Sequence, residues 1–148
     1  MAKRSRILLV DDERDFLEPV ALWLISKGHR VTSVQSGLEA VQAIRHHPFD
    51  VVFLDVVMPE MDGVETFQQI RRINRCVPVI LMAAGPEDAS RFARPETLGI
   101  SGYFPKGNGP MELREVFEMS LKRIKRSRWS FLGTFHPADL WRRLFARS

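Results

Sequence analysis

The chain of 148 residues carries a single cysteine, Cys76, so an internal disulfide is excluded and a reducing, cytoplasmic setting is expected. No apolar run approaches the roughly 18 to 20 residues that a membrane-spanning helix requires. The amino terminus "MAKRSR" is basic, but it leads directly into a short strand-like run that ends in acids. It has neither the longer apolar region nor the small-residue cleavage site of a secretory signal. The four histidines show no ligand-like spacing. His46 and His47 fall at a helix end and His29 and His136 in turns, which argues against a histidine metal centre. With 45% apolar and 27% charged residues the composition is that of an ordinary soluble protein, long enough for one domain with an appendage.

Charge of one sign is also scarce where it matters. Met1 to Leu121 holds 14 Lys and Arg against 17 Asp and Glu, whereas Lys122 to Ser148 holds 8 against 1. The overall charge of +4 therefore comes from the tail and gives no ground for reading the whole chain as a nucleic-acid binder.

What is present is an alternation. Short aliphatic or β-branched runs, "RILLV", "HRVTSV", "DVVFLD", "VPVILM" and "SGYF", read as strands. Between them, residues 14–27, 37–47, 63–73, 87–98 and 111–126 carry helical periodicity. This predicts an α/β fold: a doubly wound, five-stranded parallel sheet with helices on both faces. Ser36 and Glu39 have capping-box spacing, Gly28 suits a left-handed helix end, and Pro59 and Gly63 bracket a turn. Pro95 should shorten or kink the fourth helix.

In such a sheet, ligands bind beyond the carboxyl ends of the strands, near the point where strand order reverses. Asp11 and Asp12 end the first strand, Asp55 ends the third and Lys106 follows the fifth, so all four can converge. Three close carboxylates repel one another unless a cation sits among them, and hard oxygen ligands favour Mg2+. A carboxylate beside Mg2+ and a lysine ammonium can accept a phosphoryl group, and Asp55 is the expected nucleophile. The plainer reading of such acids is that they cap the following helix.

"LLVDDERDF", "VVFLDVVMPEMDGVE", "PVILMAAG" and "GYFPKG", in this order and spacing, resemble the receiver domain of two-component response regulators over about Arg6 to Arg126. The resemblance implies a flavodoxin-like fold and phosphoryl transfer from a sensor histidine kinase, or through a phosphorelay from a phosphotransfer protein. It also implies signalling through the surface of the fourth helix, fifth strand and fifth helix. By the same resemblance Asp55 is the phosphoacceptor. Asp12 and Asp55 bind Mg2+ through their side chains and Val57 through its carbonyl, Asp11 acts largely through water, and Lys106 pairs with the phosphoryl oxygens. Tyr103 takes the aromatic switch position.

Two positions depart from the family. Ala83 stands where receivers usually carry Thr or Ser, whose hydroxyl bonds a phosphoryl oxygen; a hydrogen bond to a charged group is worth about 1.5 to 3 kcal/mol. Gly107 stands where a proline commonly follows the lysine, so the Lys106–Gly107 bond is expected to be trans, in a loop that positions Lys106 less firmly. With Pro95, these departures fall on the switching half of the domain. They predict preserved chemistry at Asp55 and altered output coupling.

Residues 1–126 are thus expected to form the receiver and 127–148 a basic aromatic tail, helical from about Pro137. The tail is too short for a DNA-binding domain with its own core. Leu140, Trp141, Leu144 and Phe145 form an apolar face among Arg142, Arg143 and Arg147. That face would pack on its own receiver, on a second copy in a homodimer, on a partner protein or on an anionic surface. The functional expectation is a stand-alone or relay response regulator that phosphorylates itself from a phosphohistidine donor, acts through protein contacts and is no turnover enzyme. The alternative is a pseudo-receiver that binds partners without phosphorylation. An aspartate-nucleophile phosphatase is disfavoured, because Glu13 stands where that pattern has a second aspartate.

Overall fold

Five short strands form one parallel sheet in the computed structural model, which describes residues 4–85, 88, 100–107 and 114–127, without the side chains of 103, 104 and 125–127. The strands are β1 (Arg6–Val10), β2 (Arg30–Val34), β3 (Val51–Asp55), β4 (Val79–Ala83) and β5 (Gly102–Pro105). The helices are α1 (Arg14–Ser26), α2 (Gly37–His46), α3 (Gly63–Ile73) and α4 (Arg114–Ser127), the last being the helix expected fifth in the sequence. The expected fourth helix with Pro95, and the tail with its helix from about 137, lie outside the described residues.

Strand order is β2-β1-β3-β4-β5, the flavodoxin-like order, in which the sequence of strands reverses between β1 and β3. Period-two alternation divides the strands between two cores. Leu8, Val10, Val52, Leu54, Val79 and Leu81 face α2 and α3, where Ala40, Ile44, Phe67 and Ile70 cover them. Ile7, Leu9, Val51, Phe53, Ile80 and Met82 face α1 and α4, against Leu17, Val20, Leu24, Phe117 and Leu121. Burial on both sides explains why β1 and β3 are apolar at consecutive positions. Phe53 is wholly buried, with its ring 4.6 Å from that of Phe117. Truncating such a core phenylalanine to alanine costs about 3 to 5 kcal/mol.

The helix boundaries follow local chemistry. Ser36 Oγ accepts from the Glu39 N–H at 3.2 Å, as a capping box requires. The return bond, however, comes from the N–H of Gln35 to Glu39 Oε2 at 2.9 Å, one residue earlier than the motif predicts. Asp62 caps α3 by accepting from the Glu65 N–H at 2.9 Å. Gly28 adopts φ 94 after α1, the left-handed exit its position suggests.

Register sets the strand ends in a row. Val10 pairs with Leu54, Asp55 with Met82 and Ala83 with Pro105. The residues that follow these ends therefore meet on one edge of the sheet, beside the reversal of strand order.

Candidate functional site

Asp11 leaves β1 with its N–H still bonded to the Val34 carbonyl at 3.2 Å, which carries the β1–β2 ladder one residue further. Its side chain is fully buried and Oδ1 accepts from the Glu13 N–H at 2.9 Å. Asp12, next in the chain, is exposed. Asp55, the last residue of β3, is buried to 4% exposure, and its Oδ1 faces the Val57 N–H at 3.4 Å. Val56 remains tied to the sheet through the Met82 carbonyl at 2.9 Å, so the backbone that carries Asp55 and Val57 is held in place.

Asp11, Asp12 and Asp55 each offer one carboxylate oxygen within 4.8 Å of the others. Lys106 joins them from the end of β5, where its N–H donates to the Ala83 carbonyl at 2.7 Å. Its Nζ lies 2.8 Å from Asp11 Oδ2, 3.5 Å from Asp55 Oδ2 and 3.5 Å from Glu13 Oε1. The four residues expected to converge thus do so. The Lys106–Gly107 peptide is trans, and Gly107 takes φ 64, a conformation that suits glycine.

Burial among like charges governs the electrostatics. Desolvation first, and then the negative charge of Asp11, push the Asp55 carboxyl up to about 7, while Lys106 pulls the other way. Desolvation likewise raises Asp11 against the lowering effect of Lys106. For Lys106 the largest single influence, burial, lowers the ammonium. The close contact with Asp11 and the charges of Asp55, Asp11 and Glu13 together outweigh it, so Lys106 is raised and stays charged.

The residues fit a divalent cation. The donors are all carboxylate oxygens, the set that Mg2+ prefers. Among the described residues no hydrogen-bond donor is aligned to the buried Asp11 Oδ2, although the Lys106 ammonium is close enough for an ion pair. When all three carboxylates are ionised, the single Lys106 ammonium leaves the cluster net negative, a charge that a dication would offset.

Two neighbours of Lys106 were not legible in the sequence. Glu13 approaches from the start of α1, and the ring of Phe16 lies under the ammonium, 4.7 Å from Nζ to its centroid. Periodicity marks Phe16 only as a core position, and nothing in local spacing connects it to a residue 90 positions later. Ala83 is 1% exposed at the end of β4, inside the apolar cluster that faces α2 and α3. Tyr103 lies in β5 opposite Leu81, and its side chain is outside the described atoms.

Comparison with known proteins agrees with this geometry. The family model for the response regulator receiver domain matches residues 7–118. A transcriptional regulatory protein CpxR homolog of Haemophilus influenzae is 35% identical over 119 residues, covering 80% of this chain and 51% of that protein. The response regulator MprA of Mycobacterium sp. (strain KMS) is 33% identical over 122 residues, 82% of this chain and 51% of its own length. The chain thus spans about half the length of these curated relatives. Among solved structures, the receiver domain of sensor histidine kinase PA1611 from Pseudomonas aeruginosa has a TM-score of 0.67 at 27% identity. The match covers 81% of this chain and 99% of that one, and that structure holds a magnesium ion coordinated in its active site cleft. A CheY-like receiver domain protein from Methanospirillum hungatei shares the fold, with a TM-score of 0.71 at 21% identity over 84% of this chain and 99% of that one. By its matching residues and its fold, the chain belongs to the family of response regulator receiver domains.

Proposed function

We propose that this receiver accepts a phosphoryl group on Asp55 from a phosphohistidine of a sensor histidine kinase or phosphotransfer protein, and signals through protein contacts. The observation that carries the reading is the convergence of three carboxylates and Lys106 on one edge of the sheet, with Asp55 on the central strand β3. An Asp55 carboxylate oxygen attacks phosphorus in line, the bond from phosphorus to the histidine nitrogen breaks, and an acyl phosphate remains on Asp55. Asp55 must be ionised to attack, and the Lys106 ammonium favours that form. The same ammonium, 3.5 Å from Asp55 Oδ2, can pair with a phosphoryl oxygen as charge shifts onto it.

Asp11, Asp12 and Asp55, with the Val57 carbonyl, would hold Mg2+. When bound, the ion supplies positive charge against both the carboxylates and the incoming phosphoryl oxygens. Asp11 and Asp12 would place that charge beside Asp55, and the Val57 N–H would orient the Asp55 carboxylate.

Ala83 favours a second reading. An apolar residue at the end of β4 offers no hydroxyl to a phosphoryl oxygen, which suits a pseudo-receiver that binds partners without phosphorylation. One experiment separates the two. The chain is incubated with Mg2+ and acetyl phosphate, or with a phosphorylated kinase, and its intact mass is measured. A phosphoryl increment that Asp55→Asn abolishes supports the phosphoacceptor; no increment from any donor supports the pseudo-receiver.

A further inference from the structure

We propose that Phe16 is a positioning residue for Lys106, holding the ammonium over its ring face at the inner side of the acidic edge. The kinetic part of this inference rests on the proposed phosphoryl transfer to Asp55; the placement of Lys106 does not.

The surroundings of Nζ are lopsided. On one side stand the carboxylates of Asp11 at 2.8 Å and of Asp55 and Glu13 at 3.5 Å each. On another lies the Phe16 ring, 4.7 Å from Nζ to its centroid, within the range at which a cation is attracted to the negative face of an aromatic ring. The three acids differ in depth. The Asp11 and Asp55 side chains are at most 5% exposed, whereas that of Glu13 is 66% exposed and draws the ammonium toward solvent. The ring opposes that drift at little desolvation cost, because a phenyl face needs no hydrogen-bond partner.

The backbone makes such a seat useful. Lys106 reaches the site on a four-carbon stem, and the next residue, Gly107 at φ 64, has no side chain to restrict the chain where it leaves β5. Phe16 is itself fixed. It sits in the first turn of α1, 6% exposed, and packs in the cluster that includes Leu9, Phe53 and Met82. A ring anchored in the core between β1 and α1 thus fixes the tip of a side chain that comes from β5.

Core packing alone would also bury Phe16, so the test must read the ring's charge distribution and leave its volume unchanged. Phe16 is replaced, in the full chain, by phenylalanines with one, two and three ring fluorines, which weaken the negative face while nearly keeping the shape. We expect the phosphorylation rate from acetyl phosphate to fall stepwise, by roughly 3- to 30-fold across the series. The same series in a Lys106→Met background should be flat. Independently of phosphorylation, the Lys106 ε-methylene protons should resonate upfield of those of the other lysines through the ring current, and return to the ordinary position in Phe16→Leu. An unshifted ε-methylene, or a rate that ignores fluorination, overturns the proposal. If the unmodified chain takes up no phosphoryl group, the transfer to Asp55 is refuted instead, and the ring-current shift alone decides where Lys106 sits.

Discussion

The Lys106 ammonium stands closer to Asp11, at 2.8 Å, than to the proposed phosphoacceptor Asp55, at 3.5 Å. Without a metal, then, the lysine chiefly neutralises its buried neighbour. Lys106→Met should leave two buried carboxylates without their cation, and breaking a buried pair costs about 3 to 5 kcal/mol. Because both carboxyls are already displaced upward, they escape part of the penalty by taking up protons at low pH. Denaturant unfolding should therefore show the variant strongly destabilised at pH 8 and much less so at pH 5.5 or in saturating Mg2+. Its phosphorylation rate should fall roughly 100-fold, as when one electrostatic stabiliser is removed.

A carboxyl at about 7 in the folded chain and near the ordinary 3.8 in the unfolded one makes stability depend on pH. Between these values the folded state binds more protons than the unfolded state, so stability falls as pH rises from about 4 to about 7 and levels off above. Asp11 acts in the same direction. In EDTA, the melting temperature should drop between pH 5 and pH 8, and Asp55→Asn should flatten much of that slope. Mg2+ must displace the Asp55 proton. Calorimetry at pH 6.5 in buffers of different ionisation enthalpy should thus reveal proton release on binding, and affinity should rise toward pH 8.

Ala83→Thr should add the hydroxyl that the acidic edge lacks on the β4 side. With a hydrogen bond to a charged phosphoryl oxygen at about 1.5 to 3 kcal/mol, the rate of phosphorylation or the lifetime of the acyl phosphate should change by roughly 10- to 100-fold. The substitution enlarges a side chain that is 1% exposed within an apolar cluster, and overpacking costs about 1 to 3 kcal/mol. A lower melting temperature with an altered phosphoryl lifetime is the expected pair of outcomes. An unchanged lifetime would count against altered output coupling at this position.

The sheet and its acidic edge were legible because β1, β3 and β4 are short apolar runs buried on two sides, and in β3 the run stops at the acid that matters. Parallel pairing then fixes which strand ends share an edge, so Asp11, Asp55 and Lys106 could be brought together from chain order alone. The seat of Lys106 was hidden for the opposite reason. Phe16 and Glu13 meet it only through tertiary packing between α1 and β5, and Phe16 serves the core by the same periodicity as Val20 and Leu24. The return half of the box at Ser36 was misplaced by one residue because the Glu39 carboxylate reaches the Gln35 N–H, a choice that motif spacing cannot distinguish.

Gly63 looked like turn punctuation and proves to be a matter of space. A β-carbon there would collide with the Asp55 carbonyl oxygen and lie 2.7 Å from the Val56 Cα, both backbone atoms that cannot swing aside. The Gly63 N–H also donates to the Val56 carbonyl at 2.8 Å, which pins the start of α3 against the end of β3. Gly63→Ala should force these two segments apart, at a cost on the order of 1 to 3 kcal/mol for an overpacked contact. The displaced segment carries Asp55 and Val57, two of the four proposed Mg2+ ligands. A shift of this kind should weaken Mg2+ binding measured calorimetrically as well as lowering the melting temperature. Gly28→Ala, whose β-carbon would meet nothing within 4 Å among the described residues but would strain a residue at φ 94, should lower stability and leave Mg2+ affinity unchanged. A Gly63→Ala chain that unfolds earlier yet binds Mg2+ as well as before would show that the close approach supports the fold and not the ligand geometry.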